Sequence, residues 1–234
     1  MATNITSGSG TAGALAIDRQ AIHHAVYYGQ GDMLDQPYPK GNFWHLGGSR
    51  SLEYDPERAK ALLREARAVG TEVKIVCAAN ATTSRESAQV VQDLWTAVGF
   101  KVTVEPLDSV PYNTARNQGA FDGLIQYNSY RYDPDNFFAR NLYSKSEYAQ
   151  ILSGWENARY DQLMEEAKRT LDPARRKELY TDGWNIVNVE LPHFHLHEET
   201  ETSAAVKTLH GYQPASAGAL TYHGGGFRTA YIAT

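Results

Sequence analysis

The feature that most constrains this chain is a helix, a glycine and a strand in immediate succession. Ser87–Val98 carries Val91, Leu94, Trp95 and Val98 at helical spacing, Gly99 follows, and Lys101–Pro106 (KVTVEP) alternates apolar with polar residues. Spacings of three and four place apolar side chains on one helix face, and a period of two gives a half-buried strand. Glycine ends a helix at little cost, because left-handed backbone does not strain it. Neither apolar face is stable in water, so the helix must lie on a sheet.

The same alternation runs along most of the chain. Ala14–Tyr28 is expected as a helix with Leu15, Ile17, Ile22, Ala25 and Val26 on its apolar side, ended by Gly29 and Gly31. Gln36–Ser51 is a Pro/Gly/aromatic loop that includes Tyr38, Phe43, Trp44 and His45. Asp55-Pro56 opens a helix, since aspartate accepts from first-turn N–H groups and proline fits the first helical position. Ala59, Leu62, Leu63 and Ala66 are its inner face, and Gly70 closes it. Val73–Ala78 follows as a strand, with Ser84 as the cap of the next helix. Val110–Gln118 is a short helix, Phe121–Tyr127 a short strand, Phe137–Leu142 one helical turn, and Lys145–Gly154 irregular. Asn157–Leu171 is a helix with Tyr160, Leu163, Met164 and Ala167 inward. Asp172-Pro173 repeats the helix start, for a helix to about Val189 that Pro192 breaks. His193–His197 reads as a strand; beyond Ala204 helix signals vanish, and Phe227–Ala233 is a candidate strand. The expected fold class is α/β, a mixed β-sheet flanked by helices. Residues 14–234 are expected as a single lobe. Met1–Gly13, which ends in Gly, Ser, Thr and Ala, is expected as a linker or an added segment.

Composition removes several functions. A hydrophobic content of 42% with 21% charged residues is that of a folded globular chain. A net charge of -5 without a Lys/Arg run argues against nucleic acid or anionic membrane as a partner. No apolar run is long enough to cross a bilayer, and nothing at the N-terminus reads as a signal peptide. The lone Cys77 sits in an apolar run and forms no internal disulfide.

The stretch Gly119–Phe138 (GAFDGLIQYNSYRYDPDNFF) is the leading candidate site. A short strand leads into a loop of Tyr127, Asn128, Tyr130, Arg131, Tyr132 and Asp133, and Pro134 holds Asp133 out of the helical region. Side chains of this kind at a strand end suit recognition of a small molecule. The alternative is a connection whose tyrosines cover the core. Fifteen tyrosines and four tryptophans leave both readings open.

Five segments in order carry a resemblance: ALAIDRQAI, YDPERAKALLREA, VVQDLWTAVGFKVTVEPLD, GAFDGLIQYNSYRYDPDNFF, and RYDQLMEEAKRTLDPARRKELYTDGWNIVNVELPHFHL. Together they resemble the C-terminal large lobe of the extracellular solute-binding proteins that serve dipeptide, oligopeptide and nickel ABC importers, from about Ala14 to the C-terminus. The resemblance implies one lobe of a bilobed, type II periplasmic-binding-protein-like receptor, periplasmic or lipid-anchored outside the cell. It closes over a small-molecule solute and delivers it to a membrane permease, and it is not an enzyme. It also implies a missing N-terminal lobe, and hence an exposed cleft face through which a homodimer is conceivable. In dipeptide-binding members an Asp before the Asp-Pro-Asp segment pairs with the ligand amine, and an Arg after the first strand pairs with its carboxylate. Here those positions are Tyr130 and Ala78. A free dipeptide would therefore lack countercharges. The expected ligand is a sugar, an opine-like conjugate, a longer peptide held by its backbone, or an aromatic solute. Arg85 or Arg131 is the candidate anion clamp, Asp133 the cation clamp, and Trp44 a further lining residue.

A rival constellation is His193, His195 and His197, which share one face if the segment is a strand. Three rings spread along a strand close poorly on one ion, so a nickel or zinc site is the lesser reading. His23 and His24 are expected at the surface. No G-x-S-x-G, P-loop or G-x-G-x-x-G occurs, and no cofactor is expected.

Overall fold

The computed structural model of the protein describes residues 7–46, 53–127, 133–193, 195–198, 204–212 and 230–233. Both Asp-Pro pairs head helices, α3 (Pro56–Glu65) and α9 (Pro173–Glu190). The Asp55 carboxylate accepts from the Arg58 amide at 2.8 Å, and that of Asp172 from the Arg175 amide at 2.7 Å.

The sheet half follows the helix–glycine–strand reading. β1 (Glu72–Ala78) lies between β2 (Lys101–Leu107) and β3 (Gly123–Ile125), and both neighbours are parallel to it. α4 (Thr82–Val98) connects β1 to β2 and ends at Gly99, whose φ of 119° only glycine adopts without strain. α4 begins at Thr82 instead of after Ser84, with Ala81 at the cap position and no side-chain cap. α5 (Ser109–Gln118) leads to β3. The strand expected over Phe121–Tyr127 is ordered into the sheet only at Gly123–Ile125.

The N-terminal segments depart from expectation. Ser7–Gly13, expected as linker, is the first part of α1 (Ser7–Leu15). Small residues explain why: Ala12 is fully buried, and a Cβ on Gly13 would lie 3.5 Å from the Trp95 ring. The Trp95 indole donates to the Gly13 carbonyl at 2.9 Å. The helix expected across Ala14–Tyr28 breaks at Asp18. That residue takes extended backbone and caps α2 (Arg19–Ala25) by accepting from the Ala21 amide. A short polar side chain competes with the helix for its own backbone. Leu15, Ile17, Ile22, Leu63, Ile75, Val91, Trp95 and Phe100 meet in one mainly aliphatic core.

The helical half is packed differently. α6 (Asp135–Leu142), α8 (Ala158–Arg169) and α9 bury Phe137, Phe138, Tyr160, Leu163, Met164, Tyr180 and Trp184 together with Tyr38 from the aromatic loop. The hydroxyl of the fully buried Tyr160 donates to the Phe138 carbonyl at 2.9 Å, which satisfies its polar end. The segment 145–154, expected as irregular, contains α7 (Glu147–Leu152), capped by Ser146. The β-strand expected at His193–His197 is not formed among the described residues there. A single bridge pairs Glu198 with Asp32. Near the C-terminus, β4 (Leu209–His210) and β5 (Tyr231–Ile232) pair antiparallel, apart from the main sheet. Among the described residues no helix is long and apolar enough to cross a membrane. The α/β class is as expected.

Candidate functional site

In parallel sheets, ligands collect beyond the carboxyl ends of the strands. Two candidate residues leave the sheet there. Tyr127 follows β3 and is 61% exposed. Arg85 stands in the first turn of α4, just after β1. Its guanidinium donates to the Ala79 carbonyl and braces the turn at the end of β1. Gln126 is held from the side by the Tyr148 hydroxyl at 3.1 Å. Asn128, Tyr130, Arg131 and Tyr132 lie outside the described residues.

On the far side of that loop, Asp133 is already paired. Arg176 on α9 donates to both its carboxylate oxygens, at 2.9 and 3.2 Å, and the Asp135 amide adds a third bond at 2.9 Å. The Arg176 hydrogen bonds hold the Asp133 carboxyl below its ordinary range. Asp133, expected as a cation clamp for a ligand, thus has a countercharge within the protein. Arg176 also donates to the Tyr180 hydroxyl at 2.9 Å, which in turn donates to Asp135 at 3.3 Å. Burial raises the Asp135 carboxyl and the Tyr180 phenol.

The indole of Trp44, half-buried in the aromatic loop, completes the cluster. The Arg176 guanidinium lies 5.6 Å from its ring centroid and 5.5 Å from that of Tyr180. Phe43 meets Trp44 edge-on at 4.9 Å, carries the Lys177 ammonium over its face at 5.3 Å and remains 55% exposed. The loop beneath is cross-braced: the buried Gln36 side chain donates to the Leu46 carbonyl at 2.9 Å and accepts from the Leu46 amide at 2.5 Å. The structure therefore joins Trp44 and Asp133 through Arg176, while Arg85 and Tyr127 stand at the carboxyl ends of β1 and β3. Arg176, Tyr180 and Phe43 were not among the expected site residues. Arg176 and Asp133 are 43 positions apart, and the only local hint was an Arg four residues before a Tyr on one helix face.

The three histidines do not converge. His193 and His195 pack on Phe137, each with ring centroids 5.3 Å away, while His197 lies flat on Tyr27 at 3.6 Å. Burial lowers the His193 imidazole to about 4 and pushes His195 down as well. Among the described residues no group of three or more His, Cys, Asp or Glu is placed to hold a metal. His23, expected at the surface, is instead hydrogen-bonded to His197.

The comparisons agree with this architecture. The family model for bacterial extracellular solute-binding proteins, family 5, middle region, matches residues 11–150, more than half of the chain. The di/tripeptide-binding protein 1 of Pseudomonas aeruginosa is 27% identical over 215 residues, which are 89% of this chain and 40% of that protein. The heme-binding protein A of Haemophilus influenzae is 27% identical over 183 residues, 76% of this chain and 34% of that protein. The oligopeptide-binding protein AppA from Bacillus subtilis, solved with a nonapeptide, superposes with a TM-score of 0.85 at 18% identity over 99% of this chain and 48% of that one. The chain thus spans about two fifths of the length of the curated relatives it matches. It belongs to the bacterial extracellular solute-binding proteins, family 5.

Proposed function

We propose that this chain is the ligand-binding lobe of an importer's extracellular receptor, and that its solute is peptide-like and held by stacking and backbone hydrogen bonds instead of charge clamps. The observation that carries the reading is the bidentate Asp133–Arg176 pair, which occupies both charges where a ligand's terminus would need one. What borders that pair is aromatic: Trp44 lies beside Arg176, and Phe43 beside Trp44. Flat rings beside a polar loop suit a peptide backbone or a similarly polar conjugate. The relatives' printed functions, di- and tripeptide binding and oligopeptide binding, support the class. The second wall of the cleft would come from the rest of a longer receptor, and the receptor's partner would be a membrane permease. On this reading the chain is a binding protein that acts outside the cytoplasm and catalyses nothing.

The test is calorimetry with one tetrapeptide in two forms, free and with both termini blocked. The two should bind within about threefold of each other, a difference well under 1.4 kcal/mol. Trp44→Ala should weaken both by about tenfold, and Arg176→Ala, which frees the Asp133 carboxylate, should make the free form bind more tightly than the blocked one. A blocked peptide that binds about a hundredfold worse than the free one would show that termini are recognised after all, and the charge-free reading would fall.

A further inference from the structure

The last ring of the HFHLH run leaves its neighbours. His197 lies within 5° of parallel to Tyr27, and its Nε2 is 2.8 Å from Nδ1 of His23 on α2. At that separation the contact is a hydrogen bond, so one nitrogen carries a proton and the other presents a lone pair. Two neutral rings satisfy this. One added proton is also tolerated, because it settles on the donor ring's remote nitrogen. A second added proton is not, because it sets N–H against N–H and cation against cation.

The pair fastens a short strap. Along residues 195–198 the Arg19 guanidinium donates to the His195 carbonyl at 2.9 Å, and the Glu198 amide donates to the Asp32 carbonyl at 2.7 Å. The strap presses so closely on Gly31 that a Cβ there would lie 2.2 Å from the Glu198 carbonyl oxygen. Leu196 packs on the aliphatic core of the sheet half. His193 and His195 pack on Phe137, and His195 also on Trp184 at 5.5 Å, in the aromatic half. The strap therefore stitches the two cores together. Among the described residues, the charged and titratable groups around it are Arg19 and His24 on α2, Tyr27 under the His197 ring, Asp32 and Asp35 in the loop that follows, Glu198 in the strap itself, and His193 and His195. Of these, Arg19 and the other imidazoles oppose a further proton, and the three carboxylates favour it.

We propose that His23 and His197 form a proton-operated latch that holds the 195–198 strap against α2 and releases it when both rings become protonated. The closed pair accepts one proton fewer than the open pair. Below the ordinary histidine range of about 6.5, the open fraction should therefore grow about tenfold per pH unit. This does not rest on the solute reading, since neither ring touches the candidate site.

Amide hydrogen exchange on the full chain tests it, with each rate corrected for the intrinsic effect of pH. The Glu198 amide should lose protection about tenfold per unit between pH 6.5 and 5, while the Ile75 amide in β1 should not follow it. His197→Phe keeps a flat ring on Tyr27 and cannot titrate, so its Glu198 amide should show no such slope. His23→Asn should flatten the slope independently, and serves if the phenylalanine variant folds poorly. A wild-type Glu198 amide whose protection is constant from pH 7.5 to 5 would overturn the latch. So would a slope that survives in both variants.

Discussion

The sheet half and the helical half bury hydrophobic surface in different ways. On the α4 face of β1 the core is mainly aliphatic, with Trp95 and Phe100 as its buried aromatic residues among the described ones, and on the other face Val76 packs with Tyr112 and Phe121. Around α8 and α9 the core is a stack of rings: Tyr38, Phe137, Phe138, Tyr143, Tyr160, Tyr180 and Trp184. Aliphatic packing needs only the right volume on the right face. Ring packing also needs a partner for every buried hydroxyl, as with Tyr160 on the Phe138 carbonyl. The Trp44–Arg176–Asp133 part of the candidate site sits on the half with the stricter demand. Its aromatics are fixed by bonds below the surface before any solute arrives, and such fixing lowers the cost of binding.

The largest way to break this comparison is Trp184→Ala. The indole is 2% exposed and packs on Phe137, Phe138 and His195. Its loss should cost about 3–5 kcal/mol. Urea unfolding followed by circular dichroism and by tryptophan fluorescence should move together to lower urea, because the strap ties both cores. Two separated transitions would show that the halves unfold independently.

Trp95→Phe is the matching test in the sheet half. It keeps most of the apolar ring and removes the indole donor to the Gly13 carbonyl. A buried acceptor left without its partner costs about 1–3 kcal/mol. The loss should appear first as faster hydrogen exchange in α1, and unchanged exchange there would mean that α1 is held by its small residues alone.

What the sequence made legible follows the same division. Val73–Ala78, Gly99 and the KVTVEP alternation depend on local periodicity, and β1, α4 and β2 lie where that periodicity puts them. Asp55 and Asp172 were readable because an N-cap acts within one turn. The break at Asp18 was hidden by apolar residues on both sides of it. Helix α1 was hidden because Gly, Ser and Ala look like linker unless a tryptophan is known to lie on them. The Asp133–Arg176 pair and the His23–His197 contact span 43 and 174 positions, and no local pattern specifies such partners. The family was legible because its segments occur in order; which residues of the loop meet a solute was not.

A smaller effect separates the halves by pH. His193 packs in the aromatic half, and burial lowers its imidazole to about 4. A depressed histidine favours the folded state fully above its unfolded value of about 6.5, and that contribution declines as pH falls toward 4. His193→Phe should therefore flatten the acid limb of the Tm profile between pH 6.5 and 4, while leaving Tm near pH 8 within a few degrees. An acid limb identical to the wild type would mean that the ring is not buried neutral, and that the aromatic half tolerates its charge.

The smallest and cleanest test uses the one device the halves share. Asp55 caps α3 in the sheet half and Asp172 caps α9 in the helical half, with the same proline behind each and bonds of 2.8 and 2.7 Å. Asp55→Ala and Asp172→Ala should each cost about 1 kcal/mol. The chemistry removed is the same, so any difference reports the context and not the cap. If the molecule unfolds as one unit, both variants lower the urea midpoint equally. If the aromatic half yields first, Asp172→Ala lowers the midpoint while Asp55→Ala leaves it in place and affects only the exchange of α3. Two capping changes thus decide whether the strap couples the cores strongly enough for the lobe to act as a single body.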